Sequence, residues 1–310
     1  MNLDLSLVIP AYNEAERLGD GYDRLASALD ALDGARVELI VVDDGSSDGT
    51  LTRAREVYGH LEHARFVQQP TNFGKGAALR LGLALANGEA VVTMDADVAI
   101  DPSYLGQFVE ALASHAFVPG SRARNGRIRY DERHRTLAGA AFNRLVRYYT
   151  AITARDTQCG CKGFQRGPGR LLGLLSTLDG FAFDVELFYL ADRLGLEVAP
   201  LEVTWRDVAG SSVHPAREAW RMLRDVRNLT RHQYRNPVVE LASAPTRDDA
   251  NIAARAARCV GAVLAHSSSN TLFVVGRDDA LAAASVADAL GGTLRTAGLD
   301  ELARRRYEAV

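Results

Sequence analysis

The sequence predicts an α/β fold in which a mostly parallel sheet is covered by helices on both faces. Short apolar runs alternate with segments whose apolar residues recur every three or four positions, and the connections between them are short. The first pattern is typical of buried strands and the second of amphipathic helices, so their alternation indicates a parallel sheet. Polar side chains collect directly after the strands, which indicates that one edge of the sheet carries the chemistry.

Five apolar runs predict the strands of this sheet. In chain order they cover residues 5–9, 37–42, 65–67, 90–94 and 117–118. Between the first two runs, apolar residues recur at helical spacing from Ala15 to Leu32, and Gly34 follows them. A helix is therefore expected over residues 15–32. No Gly-x-Gly-x-x-Gly pattern follows the first strand, which weakens a dinucleotide-binding fold as the alternative.

The composition describes an ordinary globular protein and argues against several classes. The chain has 310 residues, of which 47% are hydrophobic and 24% are charged, and its net charge of −3 does not suit a dedicated nucleic-acid-binding protein. No apolar run reaches the roughly 18 residues of a membrane-spanning helix, and the start of the chain lacks a secretory pattern. Cys159, Cys161 and Cys259 cannot build a disulfide framework, so we expect reduced thiols and a cytoplasmic location.

Two carboxylates at the end of the apolar run at 90–94 suggest a metal site. Asp95 and Asp97 are one residue apart and follow the predicted strand at its carboxyl end. Such a pair can share a hard divalent cation, which prefers oxygen ligands and can also hold phosphate oxygens. The alternative is a solvated loop with acidic turn residues, and the Asp-x-Asp pattern alone does not decide between the two.

A basic tract follows the strand that contains residues 117–118. Its arginines are Arg122, Arg124, Arg127, Arg129, Arg133, Arg135, Arg144 and Arg147. Charged runs of this kind are usually solvated faces. Because this tract begins directly after a loop at the sheet edge, phosphate binding by some of its arginines is the competing interpretation.

A basic amphipathic helix is expected over residues 214–235. Met222, Val226 and Leu229 fall on one face of this helix. Five arginines fall on a narrow opposite face, namely Arg217, Arg221, Arg224, Arg231 and Arg235. The pattern suits a helix that lies in a membrane interface. It suits a helix docked on its own domain nearly as well.

The remainder of the chain predicts an appended subdomain. The Asn-Pro sequence at 236–237 marks a boundary, so the first domain is expected over residues 1–236. Apolar runs and helical patterns alternate again after this point, without a motif that carries chemistry. We therefore expect a small α/β subdomain of unknown role over residues 237–310.

Four segments carry a resemblance to a known family. They are Leu-Val-Ile-Pro-Ala-Tyr-Asn-Glu at 7–14, Val-Val-Asp-Asp-Gly-Ser-Ser-Asp-Gly-Thr at 41–50, Asn-Phe-Gly-Lys-Gly at 72–76 and Asp-Ala-Asp at 95–97. In their order and spacing, they resemble the family-2 glycosyltransferases of GT-A fold. Two further segments, at 156–160 and 183–187, are most similar to the dolichyl/polyprenyl-phosphate β-glucosyltransferase branch. The resemblance implies a Rossmann-like GT-A sheet that binds a nucleotide-sugar.

The resemblance also implies roles on the donor side. The residues expected to border the base and ribose are Pro10, Tyr12 and Glu14. Asp43 would accept a hydrogen bond from the base edge, and Lys75 would lie near the base or the phosphates. Asp95 and Asp97 would hold Mg²⁺ or Mn²⁺ against the diphosphate, which offsets the negative charge that the leaving group gains.

On the acceptor side, the resemblance implies cationic residues that hold a phosphate. Arg122, Arg135 and Lys162 match these positions, with Arg133 as a neighbouring candidate for Arg135. A polyprenyl phosphate is anionic at neutral pH and needs no general base, whereas a hydroxyl acceptor needs one. Asp184 falls where relatives with hydroxyl acceptors place that base, and it is the possible base here.

The leading expectation is an inverting, metal-dependent hexosyltransferase that uses a UDP-sugar, or else a GDP-sugar, and a polyprenyl phosphate. A peripheral contact of residues 214–235 with the inner face of the cell membrane would bring it to the lipid. A soluble hydroxyl acceptor, with Asp184 as base, is the first alternative. A non-catalytic nucleotide-sugar sensor or scaffold is the alternative from another class, and no nucleic-acid partner is expected.

Overall fold

The structure is a computed structural model of the 310-residue chain. The residues that it describes are 3–32, 34–122, 146–148, 150, 152, 154, 156–194, 196–206, 215–229, 263–267 and 271–275. Arg133 and Arg135, which were predicted for the acceptor side, lie outside these residues. The boundary predicted at 236–237 lies outside them as well, and the division of the chain at that point stays a prediction.

A seven-stranded sheet organises the described residues. Its strands are β1 (Leu3–Ala11), β2 (Val37–Asp43), β3 (Ala64–Gln68), β4 (Gly88–Thr93), β5 (Phe117–Arg122), β6 (Lys162–Gln165) and β7 (Leu201–Val203). They lie in the order β3-β2-β1-β4-β6-β5-β7, and only β6 is antiparallel to its neighbours. The predicted mostly parallel sheet is therefore confirmed, and β1 to β5 each contain most of one predicted apolar run.

Helices cover both faces of this sheet. They are α1 (Tyr22–Asp30), α2 (Thr50–Tyr58), α3 (Lys75–Leu85), α4 (Leu105–Leu112), α5 (Arg166–Leu175), α6 (Phe183–Leu194) and α7 (Pro215–Leu229), with a 3₁₀ turn at Pro102–Tyr104 before α4. Side chains alternate between the two faces along each strand. Val8 and Ile40 belong to the core beside α3, α5 and α6, whereas Leu7 and Val41 belong to the core beside α1, α2 and α4.

The helix predicted over residues 15–32 begins later, at Tyr22, so this prediction was wrong in its first part. Gly19 has a φ of +113°, a left-handed conformation that an α-helix does not contain and that glycine adopts without steric cost. Leu18 is nevertheless buried in the same core as the helix. The apolar spacing therefore continues across a turn, and periodicity alone extends the helix too far.

Helix α7 docks on the domain through the apolar face that the sequence predicts. Val226 and Leu229 are fully or almost fully buried, and Met222 packs against the core. Arg221 and Arg224 are exposed. Packing of α7 on its own domain therefore explains why this face of the helix is apolar. The buried residues of this face are not available to insert into a membrane. Among the helices that the structure describes, none has the length and apolar character that crossing a membrane requires.

Beyond α7 the structure describes one antiparallel hairpin. It consists of β8 (Val263–Ser267) and β9 (Thr271–Val275), which pair along their whole length. This hairpin lies within the α/β subdomain expected over residues 237–310. The subdomain itself stays a prediction.

Replacing Phe164 by Ala should destabilise the sheet strongly. The ring is fully buried and stacks on Phe117 with 4.9 Å between the ring centroids. Loss of such a ring costs about 3–5 kcal/mol of unfolding free energy, because the cavity collapses only in part. Phe73→Ala, at a residue that is 50% exposed, is the matched control and should change that energy by less than about 0.5 kcal/mol. Urea unfolding measures both variants, and similar losses for the two would contradict this account of the core.

Candidate active site

The loops that follow β1 and β2 are joined at the carboxyl edge of the sheet. The amide of Asp44 donates to the carbonyl oxygen of Ala11 at 2.8 Å. Asn13 then contacts the next loop twice. Its amide donates to Ser46 Oγ at 2.9 Å, and its Oδ1 accepts from the amide of Ser47 at 3.0 Å. These bonds fix the two loops relative to each other at the edge where the chemistry was predicted.

The three residues predicted to border the base and ribose lie close together at this edge. Pro10 is buried within β1, whereas Tyr12 is 41% exposed. Glu14 forms an ion pair with Arg17. Burial raises the pKa of Glu14, Arg17 opposes that rise, and the carboxylates of the predicted metal pair add to it. Glu14 therefore lies within electrostatic reach of the predicted metal site.

The two consecutive aspartates at the end of β2 hold different partners. Asp43 is fully buried, and its carboxylate accepts from the side-chain amide of Gln68 at 2.8 Å. Asp44 accepts from the backbone amides of Phe73 and Gly74 at 2.9 and 2.8 Å. Asp44 therefore fixes the turn that leads into α3. The role of Asp43 at the base edge stays a prediction.

An ion pair joins the start of α3 to the loop after β4. Lys75 Nζ lies 2.6 Å from Asp95 Oδ1, and the two side chains are 20% and 38% exposed. Burial raises the pKa of Asp95, but the charge and hydrogen bond of Lys75 outweigh it and hold the pKa below its usual range. Burial likewise lowers the pKa of Lys75, but the charges of Asp95 and Asp184 raise it above its usual range. Both groups are therefore charged at neutral pH.

Glycines on both sides of Lys75 are required by a neighbouring segment. Gly74 has a φ of +110°, and a Cβ there would overlap the carbonyl oxygen of Asp179. A Cβ at Gly76 would lie 2.5 Å from the carbonyl oxygen of Leu178. The amide of Gly76 instead donates to the carbonyl oxygen of Asp179 at 2.6 Å. The Gly-Lys-Gly sequence therefore permits close backbone packing, and this amide at the start of α3 is already occupied.

Asp97 lies in a strained loop beside the ion pair. Its carboxylate accepts from the amide of Ala99 at 3.1 Å. Burial raises the pKa of Asp97, and the charge of Asp95 raises it further. Val98, the next residue, has a φ of +48°, which is unfavourable for a β-branched side chain. Val98 is fully buried against Gly21, where a Cβ would lie only 2.5 Å from Val98 Cβ. Packing therefore holds the strained loop in place.

The carboxylates of Asp95 and Asp97 fit a shared divalent cation without completing its coordination. Burial is the main cause of the raised pKa of Asp97, and repulsion by Asp95 adds to it. A cation between the two carboxylates would offset that repulsion. Hard cations such as Mg²⁺ prefer oxygen ligands of this kind. No group of three or more His, Cys, Asp or Glu among the described residues could enclose a metal ion. A cation here would therefore take further oxygen ligands from the donor or from water.

Two residues that were predicted separately, one for acceptor binding and one as a possible base, form a single buried ion pair. Lys162 Nζ lies 2.9 Å from Asp184 Oδ1, and the two side chains are 3% and 5% exposed. Lys162 Nζ also donates to the carbonyl oxygen of Cys159. The ammonium group is therefore enclosed between protein oxygens, and one oxygen of Asp184 is already occupied.

Arg122 at the end of β5 is held by Asp156. The guanidinium makes two hydrogen bonds of 2.8 Å to the carboxylate, and the Arg122 amide adds a third of 3.1 Å. Burial raises the pKa of Asp156, but Arg122 outweighs burial and lowers it. The Arg122 side chain is 29% exposed. Its plane is thus fixed by a two-point contact while part of the side chain stays accessible.

The segment 156–161 packs directly against the predicted metal site. A Cβ at Gly160 would overlap the carboxylate of Asp95, so only glycine fits at this position. Cys159 and Cys161 on either side are buried free thiols, and burial raises the pKa of each. They therefore act as small apolar side chains and not as nucleophiles.

More than half of the chain, residues 6–169, matches the family model described as Glycosyl transferase family 2. The chain belongs to glycosyl transferase family 2. The matched residues include the Lys75–Asp95 and Arg122–Asp156 pairs and extend through Lys162. Asp184 lies beyond the matched residues.

Relatives within this family include dolichyl-phosphate beta-glucosyltransferases. The protein of that name from Drosophila melanogaster is 34% identical over 241 residues, which are 73% of this chain and 74% of that protein. The Homo sapiens protein of that name is 34% identical over 227 residues, which are 68% of this chain and 70% of that protein.

Solved structures of other glycosyltransferases share the fold. Glucosyl-3-phosphoglycerate synthase from Mycobacterium tuberculosis, in complex with Mn²⁺, UDP and glucosyl-3-phosphoglycerate, matches with a TM-score of 0.53 and 26% identity over 72% of this chain and 77% of that chain. Mannosyl-3-phosphoglycerate synthase from Rubrobacter xylanophilus matches with a TM-score of 0.57 and 22% identity over 74% of each chain. These matches confirm the GT-A fold that the sequence predicts.

Three carboxylates that organise this family-2 site were not among the predicted site residues. Asp44 holds the turn before α3, and Asp156 holds Arg122. Glu186 accepts from the backbone amides of the segment that packs on α3. Each of the three lies within a segment that carries the family resemblance, and that is the signal that could have found them.

Gly160→Ala should weaken metal-dependent nucleotide binding, because the new methyl group displaces the carboxylate of Asp95. We expect the affinity for UDP in the presence of Mn²⁺ to fall at least about tenfold, as for other changes that disturb the support of a metal ligand. Calorimetry measures this affinity. Gly49→Ala is the matched control, since a Cβ there meets no atom within 4 Å. Equal affinities for the two variants would contradict the role assigned to Gly160.

Lys162→Met alone should destabilise the protein more than Lys162→Met combined with Asp184→Leu. The single change leaves a buried carboxylate without its cation, which costs about 3–5 kcal/mol, whereas replacing both partners by apolar residues is often close to neutral. Urea unfolding at neutral pH measures the two variants. A double variant less stable than the single one would show that Asp184 does not depend on Lys162.

Proposed function

We propose that this glycosyltransferase moves a hexose from a nucleoside diphosphate sugar to a polyprenyl phosphate, with inversion and with a UDP-sugar as the preferred donor. The observation that carries the proposal is the sheet edge where Asp95 lies beside Asp97 and within the electrostatic influence of Lys75, Lys162 and Arg122. The relatives named dolichyl-phosphate beta-glucosyltransferase support the choice of acceptor.

The charge balance of this edge favours a divalent cation with the donor. The charged side chains described around Asp95 are Lys75, Arg122, Lys162, Asp95, Asp97, Asp156 and Asp184. Among these described side chains four carboxylates outnumber three cations, and the nearby Glu14–Arg17 pair adds no net charge. The described side chains alone would therefore present a net negative charge to a nucleoside diphosphate. Mg²⁺ or Mn²⁺ held by Asp95 and Asp97 would reverse that balance and, when bound, would stabilise the charge that develops on the departing nucleoside diphosphate.

The residues around the donor hold one another in place before it binds. Lys75 fixes Asp95 from one side, and Gly160 packs against it from the other. In this proposal Pro10, Tyr12, Glu14 and Asp43 border the base and ribose, with Lys75 toward the phosphates. An arrangement fixed in advance needs little reorganisation when charge develops on the leaving group, and that reduces the barrier.

The acceptor side suits an anion that needs no base. A polyprenyl phosphate can attack the anomeric carbon as an anion, whereas a hydroxyl acceptor would require a carboxylate ready to take its proton. Asp184 is 5% exposed and bonded to Lys162, which makes it a poor candidate for that task. Arg122 is partly accessible, and Thr157 Oγ1 and Gln158 Nε2 nearby in the chain are buried atoms without a hydrogen-bond partner in the described structure. We therefore place the acceptor phosphate beside Arg122 and the loop at 156–160.

We also propose a peripheral contact with anionic lipids through the exposed arginines of α7. The apolar face of this helix is buried on the domain, so a membrane contact would use the basic face, which includes Arg221 and Arg224. Each basic side chain close to an anionic leaflet contributes about 1 kcal/mol of attraction. Such a contact would bring the site to a lipid acceptor at the inner face of the cell membrane.

A soluble hydroxyl acceptor is the second candidate. It is favoured by the similarity to glucosyl-3-phosphoglycerate synthase, whose crystals hold glucosyl-3-phosphoglycerate with UDP and Mn²⁺. That activity would require Asp184, or another carboxylate, to act as a base. The two candidates share the donor and the residues proposed to bind it. They differ in the acceptor that would bind beside Arg122.

Transfer from UDP-glucose to polyprenyl phosphate in the presence of Mg²⁺ tests the proposal, with glycolipid formation as the readout. Asp97→Ala should reduce the rate by at least about a hundredfold, because the cation and with it the leaving-group stabilisation are lost. Asp192→Ala, at an exposed residue of α6, is the matched control and should behave like the unaltered protein.

Three results would contradict parts of this proposal. Transfer to 3-phosphoglycerate, without glycolipid, would replace the polyprenyl phosphate by the soluble acceptor. Absence of transfer from any UDP- or GDP-hexose to either acceptor would overturn the enzymatic proposal. Full activity of Asp97→Ala would refute the metal assignment.

A further inference from the structure

Two buried carboxylates fix the backbone around Lys75, Asp44 directly and Glu186 through the segment 177–179. On the amino-terminal side, Asp44 accepts from the amides of Phe73 and Gly74 at 2.9 and 2.8 Å. Asp44 is 3% exposed, so this contact is shielded from water. The residue directly before Lys75 is therefore fixed by a side chain of the loop after β2.

On the carboxyl-terminal side of Lys75, a backbone carbonyl group holds the chain. Asp179 accepts at its carbonyl oxygen from the amides of Gly76 and Ala77, at 2.6 and 3.3 Å. These amides belong to the first turn of α3, whose donors have no partner within the helix. The segment 177–179 thus caps α3 directly after Lys75.

Glu186 holds this capping segment in turn. Its two carboxylate oxygens accept from the amide of Thr177 at 3.0 Å each, from Thr177 Oγ1 at 2.9 Å and from the amide of Leu178 at 2.9 Å. Glu186 is fully buried in the first turn of α6. A chain of contacts therefore runs from Glu186 through residues 177–179 to Gly76 and Lys75.

The close approach of the two segments leaves little freedom at this contact. A Cβ at Gly76 would meet Leu178 O at 2.5 Å, so no side chain fits between the segment 177–179 and α3 at this position. Arg80 adds a second tether, since it donates to the carbonyl oxygen of Ser176 at 3.3 Å and pairs with Asp179. A shift of the segment would therefore be transmitted to the start of α3.

We propose that Glu186 is a positioning residue, which sets Lys75 against Asp95 through the segment 177–179 and thereby supports binding of the donor diphosphate. The inference rests on the donor half of the proposed function and is independent of the acceptor. Glu186 touches neither substrate in this scheme. It acts only by fixing the position of Lys75.

The first test measures amide exchange in the ligand-free protein. Glu186→Gln keeps the shape of the side chain but places an NH₂ group against backbone N–H donors, which weakens the hold on residues 177–178. The amides of Gly76 and Ala77 should then exchange at least about tenfold faster, since their acceptor at Asp179 becomes less well fixed. Unchanged exchange at both amides would overturn the proposal.

Glu38→Gln is the matched control for this change. Glu38 is 2% exposed, and its Oε1 accepts from Ser6 Oγ and from the amide of Asn87, both at 2.5 Å. It lies near the start of β2, at the opposite edge of the sheet. Glu38→Gln should cost a similar amount of stability without changing exchange at Gly76 and Ala77. Faster exchange at these amides in both variants would show a general loosening and would overturn the specific role of Glu186.

The second test is a double-mutant cycle on nucleotide affinity. Calorimetry with UDP and Mn²⁺, and in parallel with GDP and Mn²⁺, is applied to Glu186→Gln, Lys75→Ala and the double variant. Each single change should weaken binding about tenfold, as expected for loss of a contact to a charged group. If Glu186 acts through Lys75, the double variant should bind about as weakly as Lys75→Ala alone.

Additive losses in this cycle, about a hundredfold in the double variant, would overturn the proposal. So would unchanged affinity in Lys75→Ala, because Lys75 would then have no function to position. Failure of sugar transfer to polyprenyl phosphate, with nucleotide binding intact, would overturn the acceptor assignment. The double-mutant cycle on nucleotide affinity would still test the role of Glu186. The two failures are therefore distinguishable.

Discussion

The ion pair between Lys75 and Asp95 is the contact on which the rest of the site depends. It joins the start of α3 to the loop after β4, so that the helix and the sheet centre share one charged contact. Both groups are partly exposed, and an ion pair of this kind adds little to folding stability. The pair instead fixes the position of a carboxylate that packs against Gly160 and that we propose to share a cation with Asp97.

The charges around this pair are arranged so that uncompensated negative charge collects at one place. Lys75 holds the pKa of Asp95 below its usual range, and Arg122 does the same for Asp156. Among the described residues Asp97 forms no ion pair; burial and then Asp95 raise its pKa, and the more distant charges of Arg17 and Lys75 only partly oppose that rise. Burying carboxylates reduces the stability of the fold and adds nothing to the apolar core. Because such groups cluster at functional sites, we attribute this cost to ligand binding. A divalent cation would reduce this cost at the position proposed for the donor diphosphate.

The sequence predicts β1 to β5 because each of these strands contains a compact apolar run followed by polar residues, and both signals are local. The strands β6 (Lys162–Gln165) and β7 (Leu201–Val203) are short and lack such a run, so they were not predicted. The helix over 15–32 was overextended because Leu18 keeps the apolar spacing through a turn that Gly19 makes possible. The site is predicted less completely, since its contacts join residues that are distant in the chain. Lys162 and Asp184 were both predicted, but no spacing rule shows that two residues 22 positions apart bond to each other.

The first turn of α6 shows why such contacts matter for the chemistry. Acids at this position are ordinarily explained by the helix dipole, which favours exposed negative charge at a helix start. Asp184 and Glu186 are instead buried, and each holds a different part of the site. Asp184 binds the Lys162 ammonium beside the loop at 156–160, while Glu186 holds the backbone that caps α3 at Lys75. One helical turn thereby connects the residues proposed for the donor side with those proposed for the acceptor side. In the proposed reaction two anionic substrates must meet at a fixed separation, and this shared turn is a means by which the fold can control that separation.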